Sequence, residues 1–146
     1  MLEKFSIESQ KMIAVAESLA FDLSSSFIGK EHLLLAFLKA RDSLISSLLL
    51  PYGITFETFL KELKKKRKDE DVYFMEYTTS FKVLLERAIQ KAKENREERV
   101  SLETLAFALI EDNEGMVSDF LTANKVKKKE MMIQMSKAMK KHSELE

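Results

Sequence analysis

The chain has 146 residues, with 24 basic and 24 acidic side chains, 45% hydrophobic residues and no cysteine. This length fits one domain with its own core, and the balanced charge excludes a global field that would attract nucleic acid or an anionic membrane. The lack of cysteine excludes disulfides, zinc–thiolate sites and thiol catalysis.

The start of the chain, MLEKFSIESQ, contains neither the basic stretch nor the apolar run of a signal peptide. No apolar run approaches the roughly 18 residues of a membrane span. We therefore expect a cytoplasmic protein with no membrane partner. Three Gly and one Pro leave a composition rich in strong helix formers, which predicts helix along most of the chain.

The first half of the chain has the pattern of four helices. An amphipathic first helix is predicted from Ile7 to a serine-rich turn at 24–26, because apolar residues recur there at spacings of three and four. These apolar residues are Ile13, Ala16, Ala20 and Leu23. After Gly29, the apolar run at 33–38 predicts a buried central helix.

The third and fourth helices are shorter and are bounded by clear local signals. The pattern predicts the third over 43–50, because Pro51 and Gly53 disfavour its continuation. Thr55 can cap the fourth, whose apolar face contains Phe56, Phe59, Leu60 and Leu63.

The second half of the chain repeats the first. A shift of 72 residues, which places Phe5 on Tyr77, superposes a second helical set without a gap. The matched residues fall on core or helix-start positions and include Ser6 with Thr78, Ile13 with Leu85, Ala16 with Ala88, Ile28 with Val100, Gly29 with Ser101, Glu31 with Glu103 and Leu33 with Leu105. We therefore predict an all-α fold of about eight helices, built from two copies of a four-helix unit related by a pseudo-two-fold axis.

The repeat predicts the domain organisation. We assign one domain over 1–146, with repeat one at 5–66, a charged linker at 67–76 and repeat two at 77–140. The basic residues at 64–68 could form an RNA-binding patch. The acidic residues directly after them and the lack of interleaved aromatics favour a solvated linker instead.

The sequence lacks the common catalytic and cofactor motifs. Glycine occurs only at 29, 53 and 115, and Glu31 stands where a P-loop would need its magnesium-binding hydroxyl. Neither His32 nor His142 has a metal-binding partner at suitable spacing, and no Gly-x-Ser-x-Gly elbow is present. We therefore expect no catalytic residue, no metal and no cofactor, and a hydrogen-bonded structural role for His32.

Four methionines recur at helical spacing near the end of the chain, namely Met131, Met132, Met135 and Met139. Methionine-rich faces can serve as adaptable binding surfaces, but a stripe of this kind is more often core. We expect it to pack inside the protein.

Two segments contain motifs of a known family. The segment at 28–38 reads Ile-Gly-Lys-Glu-His-Leu-Leu-Leu-Ala-Phe-Leu, and Tyr77-Thr78 is followed by Ser-Phe-Lys-Val-Leu-Leu-Glu-Arg-Ala at 80–88. The first closely resembles the I-G-T-E-H-L-L-L-A-L-L signature of the amino-terminal domain of Clp unfoldases of the AAA+ class, and the second resembles the start of that domain's second repeat. The resemblance spans roughly residues 2–139 and is greatest to the ClpC and ClpA types.

The resemblance implies a domain that receives adaptor proteins and unfolded or tagged substrates for the ATPase rings of an unfoldase, with no catalysis of its own. One alternative is a free-standing regulator that binds adaptors or substrates without an attached ATPase. A second is a helical nucleic-acid-binding protein that uses the lysine-rich segments at 64–68 and 125–129. The balanced charge disfavours this last possibility, and we expect no nucleic-acid partner.

The resemblance also implies a pocket for phosphorylated arginine in each repeat, formed by a hydroxyl at the first helix start and the motif glutamate. Carried over by position, the pockets contain Ser6 with Glu31 and Thr78 with Glu103. A helix start favours phosphate and a carboxylate favours guanidinium. The same hydroxyls are ordinary N-caps and the same glutamates suit a helix dipole, so the sequence leaves both interpretations open.

The two repeats preserve the motif unevenly. The family's Thr before the glutamate is Lys30 in repeat one and Leu102 in repeat two, and the motif His becomes Thr104 in repeat two. If one pocket has lost its function, we expect it to be the second. However, Thr78 matches the family hydroxyl better than Ser6 does.

Overall fold

The computed structural model describes residues 1–66 and 76–145, with side chains up to residue 140. Within these residues the α-helices are α1 (Ile7–Asp22), α2 (Lys30–Lys39), α3 (Leu44–Leu49), α4 (Phe56–Lys65), α5 (Thr79–Glu94), α6 (Leu102–Glu111), α7 (Met116–Ala123) and α8 (Lys128–Leu145). Two 3-10 helices, Leu2–Lys4 and Leu50–Tyr52, and two strands, β1 (Phe27–Ile28) and β2 (Glu76–Tyr77), complete the described structure. None of the helices within the described ranges is long and apolar enough to cross a membrane.

The helix boundaries confirm the all-α fold and its duplication. α1 and α2 begin and end 72 residues before α5 and α6, and α3 and α4 begin 72 residues before α7 and α8. Left-handed backbone occurs at equivalent positions too, at Ser24 and Arg96 (φ 55° and 58°) and at Gly53 and Lys125 (φ 74° and 59°). The predicted charged linker at 67–76 lies outside the described residues except for its last residue.

Side-chain caps start five of the described helices. The hydroxyls of Ser6, Ser43, Thr55, Thr78 and Ser101 each accept a hydrogen bond from the backbone N–H three residues further on. Each bond satisfies one of the N–H groups that a helix start leaves without an intrahelical partner. The cap predicted for the fourth helix is confirmed.

The two repeats share one core with α2 at its centre. Residues 33–38 of α2 are at most 2% exposed, as the apolar run predicted. α2 packs against α1, α3 and α4 of its own repeat and against α5, α6 and α7 of the other. The rings of Phe59 and Phe120 lie 4.8 Å apart and join α4 to α7. Met131 and Met135 of the methionine stripe are buried as expected, whereas Met132 and Met139 are only partly buried against the core.

Two short parallel pairings, which the sequence did not predict, lie beside four helix starts. Ile28 of β1 pairs with Tyr77 of β2, and Phe5 forms an isolated parallel bridge with Val100. The 72-residue shift converts one pair into the other, so the two pairings are equivalent. Because the paired segments run parallel, they bring the start of α2 beside that of α5 and the start of α1 beside that of α6.

Candidate functional site

The paired helix starts define two equivalent sites. The Glu31 site comprises the starts of α2 and α5 and contains Glu31 and Thr78; the Glu103 site comprises the starts of α6 and α1 and contains Glu103 and Ser6. The backbone N–H of Thr78 donates to the last carbonyl of β1 over 3.0 Å, and that of Ser6 donates to Val100 over 2.9 Å. All four predicted site residues therefore lie at these two places.

The pairing expected within each repeat is wrong. Ser6 starts α1, whereas Glu31 follows the turn at the other end of that helix. A helix of 16 residues is about 24 Å long, so these two residues lie near opposite ends of α1. α5 separates Thr78 from Glu103 in the same way. Each site instead combines the hydroxyl of one repeat with the glutamate of the other, because the parallel pairings cross between the repeats.

Both predicted hydroxyls act as N-caps. Ser6 Oγ accepts a hydrogen bond from the N–H of Ser9 over 3.1 Å, and Thr78 Oγ1 accepts one from the N–H of Phe81 over 3.1 Å. Ser6 Oγ also donates to Ser9 Oγ over 3.0 Å, whereas Thr78 Oγ1 lies 3.2 Å from Ser80 Oγ. The capping interpretation is confirmed, and it places an ordered hydroxyl at each site.

Glu31 folds back over the start of its own helix. A Cβ atom on Gly29 would lie 2.2 Å from Glu31 Oε1, so the carboxylate fills the space that a side chain at this position would take. The backbone of Gly29 is extended, with φ −121°, and would suit other residues. Glycine is therefore required here for the close approach of the carboxylate, whose side chain remains 27% exposed.

His32 supports the same helix start from inside. It is 4% exposed, and its Nδ1 accepts a hydrogen bond from the N–H of Gly29 over 3.0 Å. Burial lowers the pKa of His32, and the carboxylate of Glu31, 3.4 Å from Nδ1, opposes part of that shift. Only an Nδ1 without a proton can accept this bond. The structural role predicted for His32 is confirmed.

Lys30 connects the Glu31 site to the other repeat through a buried ion pair that the sequence did not reveal. Its Nζ pairs with Asp112 and donates to the carbonyl of Glu114 over 2.8 Å. The side chains of Lys30 and Asp112 are only 8% and 5% exposed. Arg87 Nη1 lies 3.6 Å from the second oxygen of Asp112. The start of α2 is therefore held by charges from repeat two.

An apolar groove of about 400 Å³, which we call the β1 groove, opens beside Glu31. Its apolar lining comes from Leu23, Phe27, Leu63 and Met116, and its charged lining includes Lys64 and Lys66 as well as Glu31. Phe27, the first residue of β1, is 53% exposed, whereas its neighbour Ile28 is buried in the core. The Glu31 site thus continues into a surface that can accept apolar side chains.

The Glu103 site has a different internal chemistry. The carboxylate of Glu97 accepts hydrogen bonds from the N–H of Ser101, over 3.2 Å, and from the hydroxyl of Thr104. Thr104, which replaces the motif histidine, is fully buried. A carboxylate of the protein itself therefore already lies at the start of α6, where a phosphate would have to bind.

The residues of both sites fall within the match to one family. The family model of the Clp repeat (R) N-terminal domain matches residues 4–124 of this chain. The chain belongs to this family. The prediction of a Clp unfoldase amino-terminal repeat domain is therefore confirmed.

The curated relatives of this Clp N-terminal domain include ClpC subunits. Over 112 residues, the chain is 29% identical to the ATP-dependent Clp protease ATP-binding subunit ClpC of Staphylococcus epidermidis and 30% identical to that of Staphylococcus saprophyticus. These matches cover 75% of this chain and 14% of each relative. The chain therefore corresponds to a small part of the length of these relatives.

Solved structures of Clp N-terminal domains share the fold. The N-terminal domain of ClpD from Arabidopsis thaliana superposes with a TM-score of 0.75 and 18% identity, covering 96% of this chain and 97% of that one. The Hsp104 N-terminal domain from Candida albicans gives 0.76 and 17%, covering 90% and 89%. A ClpV N-domain in complex with a VipB peptide gives 0.62 and 17%, covering 75% and 69%.

Three determinants of the sites in this Clp domain escaped the sequence interpretation. The Lys30–Asp112 pair joins residues 82 positions apart, and the only signal for it was a lysine where the family has threonine. The hydrogen bonds that Glu97 accepts at the start of α6 could not be predicted, because they depend on how the chain turns before that helix. Gly29 was noted as a motif residue, but its contact with Glu31 depends on the side-chain position.

Proposed function

We propose that this domain docks protein partners for the ATPase rings of a Clp unfoldase and binds phosphorylated arginine at the Glu31 site. The observation that carries the proposal is that two helix starts and one carboxylate meet at this place. Thr78 and Glu31 are the proposed ligand contacts. Ser6 and Glu103 form the equivalent and weaker site.

The two parts of a phosphorylated arginine find separate complements at the Glu31 site. Helix starts present free N–H groups and the positive end of the helix dipole, which favour a phosphoryl group. The starts of α2 and α5 are adjacent here through the β1–β2 pairing. The carboxylate of Glu31 suits the guanidinium part, because such pairs form charge-assisted and often bidentate hydrogen bonds.

The β1 groove supports binding of a protein segment rather than of a free amino acid. Apolar residues next to the phosphorylated arginine would pack against Phe27 and Leu63, with a gain of about 25 cal/mol for each Å² of apolar surface removed from water. The ClpV N-domain, which shares this fold, has been solved with a bound peptide. We propose adaptor proteins and unfolded or tagged substrates as the partners, with no reaction catalysed by the domain itself.

The attached ATPase rings are part of the proposal, because the chain matches 14% of the length of its ClpC relatives. A reading frame that continues into Walker motifs would support the docking domain of an unfoldase. A stop codon directly after Glu146 would support the free-standing regulator instead.

Calorimetric titration with a phosphoarginine peptide tests the ligand. We expect the unmutated domain to bind the peptide and its unphosphorylated form to bind much more weakly. Glu31→Ala combined with Glu103→Ala should abolish binding, because both candidate guanidinium partners are removed. The melting temperature should stay within a few degrees, because Glu31 and Glu103 are only partly buried and each contributes no more than about 1 kcal/mol as an acidic residue in a first helical turn.

A matched control variant removes two negative charges elsewhere. Glu86 and Glu94 lie exposed on α5, away from its start, so Glu86→Ala combined with Glu94→Ala should leave binding unchanged. Failure of the unmutated domain to bind the peptide would refute the phosphoarginine assignment. Equal losses in both double variants would show that only net charge matters and would refute it too.

A further inference from the structure

A second groove, of about 540 Å³, runs between α6 and α8, and we call it the α8 groove. Its apolar surface is formed by Phe107 of α6 with Met132 and Ile133 of α8. Ile133 is 56% exposed, although the neighbouring Met135 is fully buried. α8 therefore presents one apolar side chain outward beside the face that packs into the core.

Lysines surround this apolar surface. Lys129, Lys137 and Lys140 line the groove, and with Ile133 they recur at spacings of four, four and three residues along one stripe of α8. From α5, Lys91 places its Nζ 4.7 Å from the centre of the Phe107 ring. Among the described residues that line the groove, the acidic one is Glu111 on α6. A chain with equal numbers of acidic and basic residues thus has a concentrated positive field at this groove.

We propose that the α8 groove binds an acidic amphipathic helix of a protein partner. The stripe from Lys129 to Lys140 is about 16 Å long, which matches three turns of a bound helix. Apolar side chains at positions i, i+3 and i+4 of the partner fill the space over Phe107 and Ile133, and its flanking carboxylates meet the lysines. This surface is separate from the Glu31 site, and its occupancy does not depend on phosphorylated arginine.

The same features disfavour other occupants. A second copy of the chain would oppose two identical basic surfaces, which repel each other. A single-stranded nucleic acid stacks its bases on exposed aromatic rings, but Phe107 is only 6% exposed and lies beneath Lys91. An anionic membrane would need more apolar area to insert than the single exposed Ile133 provides.

Fluorescence anisotropy with a labelled synthetic peptide of about 18 residues tests the proposal. The probe has leucines on one helical face and glutamates elsewhere, and a control peptide of the same composition has its leucines scattered around the helix. We expect the amphipathic peptide to bind more tightly than the scattered one. No binding, or equal binding of both peptides, would overturn the proposal.

Variants of the domain test the location. Lys129→Glu combined with Lys137→Glu should weaken peptide binding at least about tenfold, and Ile133→Ala should weaken it without a change of charge. Lys11→Glu combined with Lys61→Glu, at exposed positions on α1 and α4, gives the same net charge and should bind like the unmutated domain. Equal loss in both charge-reversed variants would contradict the assignment.

Two further probes test the competing occupants. Vesicles of three parts phosphatidylcholine to one part phosphatidylglycerol and a single-stranded DNA oligonucleotide should not displace the peptide at matched anionic charge. Displacement by either probe would overturn the choice of an acidic helix. Circular dichroism spectra that match the unmutated domain are required for each variant that enters the comparison.

Discussion

The Glu31 site and the Glu103 site are built from equivalent helix starts, but their side chains have diverged. Gly29 at the Glu31 site leaves room for a folded-back carboxylate, whereas its equivalent, Ser101, has a Cβ atom in the corresponding position. At the start of α2 the N–H of Gly29 donates to the buried His32, whereas at the start of α6 the N–H of Ser101 donates to the carboxylate of Glu97 in the preceding turn. The duplication therefore preserved the framework of helix starts but not the same side chains at both sites.

The cross-repeat pairing explains why the divergence is one-sided. The better preserved glutamate motif is in repeat one, and the better preserved hydroxyl, Thr78, is in repeat two. The structure places both in the Glu31 site and leaves Ser6 with Glu103 in the other. A single functional pocket can therefore draw one half from each repeat.

The largest expected effect is a loss of stability when the buried Lys30–Asp112 ion pair at the Glu31 site is broken. Asp112→Ala leaves Lys30 buried without its carboxylate partner and should lower the free energy of unfolding by about 3 kcal/mol. Urea denaturation measures this change, and Glu111→Ala, at the exposed neighbouring position, serves as the control. Lys30 and Asp112 correspond to Leu102 and Ala40 under the 72-residue shift, so the Glu103 site has no such pair.

A double replacement tests whether the stability loss in Asp112→Ala comes from the unpaired charge of Lys30 or from lost packing. Lys30→Met combined with Asp112→Leu removes both charges and should recover most of the lost stability. A loss below about 1 kcal/mol for Asp112→Ala alone would mean that the pair does not hold the start of α2.

A smaller effect is expected for binding when the space over Gly29 is closed. Gly29→Ala places a methyl group where Glu31 Oε1 lies, so the carboxylate must move while the extended backbone is retained. We expect the phosphoarginine peptide to bind about tenfold more weakly, or by about 1.4 kcal/mol, in a calorimetric titration. Ser101→Gly, the reciprocal change, costs only a few tenths of a kcal/mol as a cap and should not alter binding at the Glu31 site. Unchanged affinity in Gly29→Ala would show that the folded-back carboxylate is not the ligand contact.

The smallest effect is a pH dependence that involves His32, whose equivalent is Thr104. Burial lowers the pKa of His32 in the folded protein, whereas the unfolded chain regains a pKa of about 6.5. The unfolded state therefore takes up a proton at higher pH than the folded state, and the free energy of unfolding falls as the pH drops below that value. In the His32→Asn variant, the free energy of unfolding should therefore fall less between about pH 7.5 and about pH 5.5 than in the unmutated domain. Urea denaturation at each pH measures the difference. An identical fall in the variant would assign the pH dependence to other groups.

The helices could be predicted from the sequence because their signals are local. Apolar spacing predicted a first helix from Ile7 to the serine-rich turn and a buried helix over the run at 33–38, and the 72-residue shift predicted a copy of each; α1, α2, α5 and α6 confirm them. Capping residues such as Thr55 and breakers such as Pro51 act within a few positions of where they occur in the chain. The buried run at 33–38 identified the centre of the core for the same reason.

The composition of the sites depended on contacts that local patterns do not encode. The parallel pairings are one or two residues long, which is too short for strand periodicity to show. Without them, nothing in the sequence indicated that Thr78 would lie beside the start of α2 rather than with Glu103. The Lys30–Asp112 pair depends on the packing of one repeat against the other.

The most direct measurement compares two single variants, Glu31→Ala and Glu103→Ala, in calorimetric titrations with the same phosphoarginine peptide. If the Glu31 site is the functional pocket, Glu31→Ala abolishes binding, and Glu103→Ala leaves an affinity close to that of the unmutated domain. Loss of binding in Glu103→Ala with little change in Glu31→Ala, or equal loss in both variants, would contradict the one-sided site.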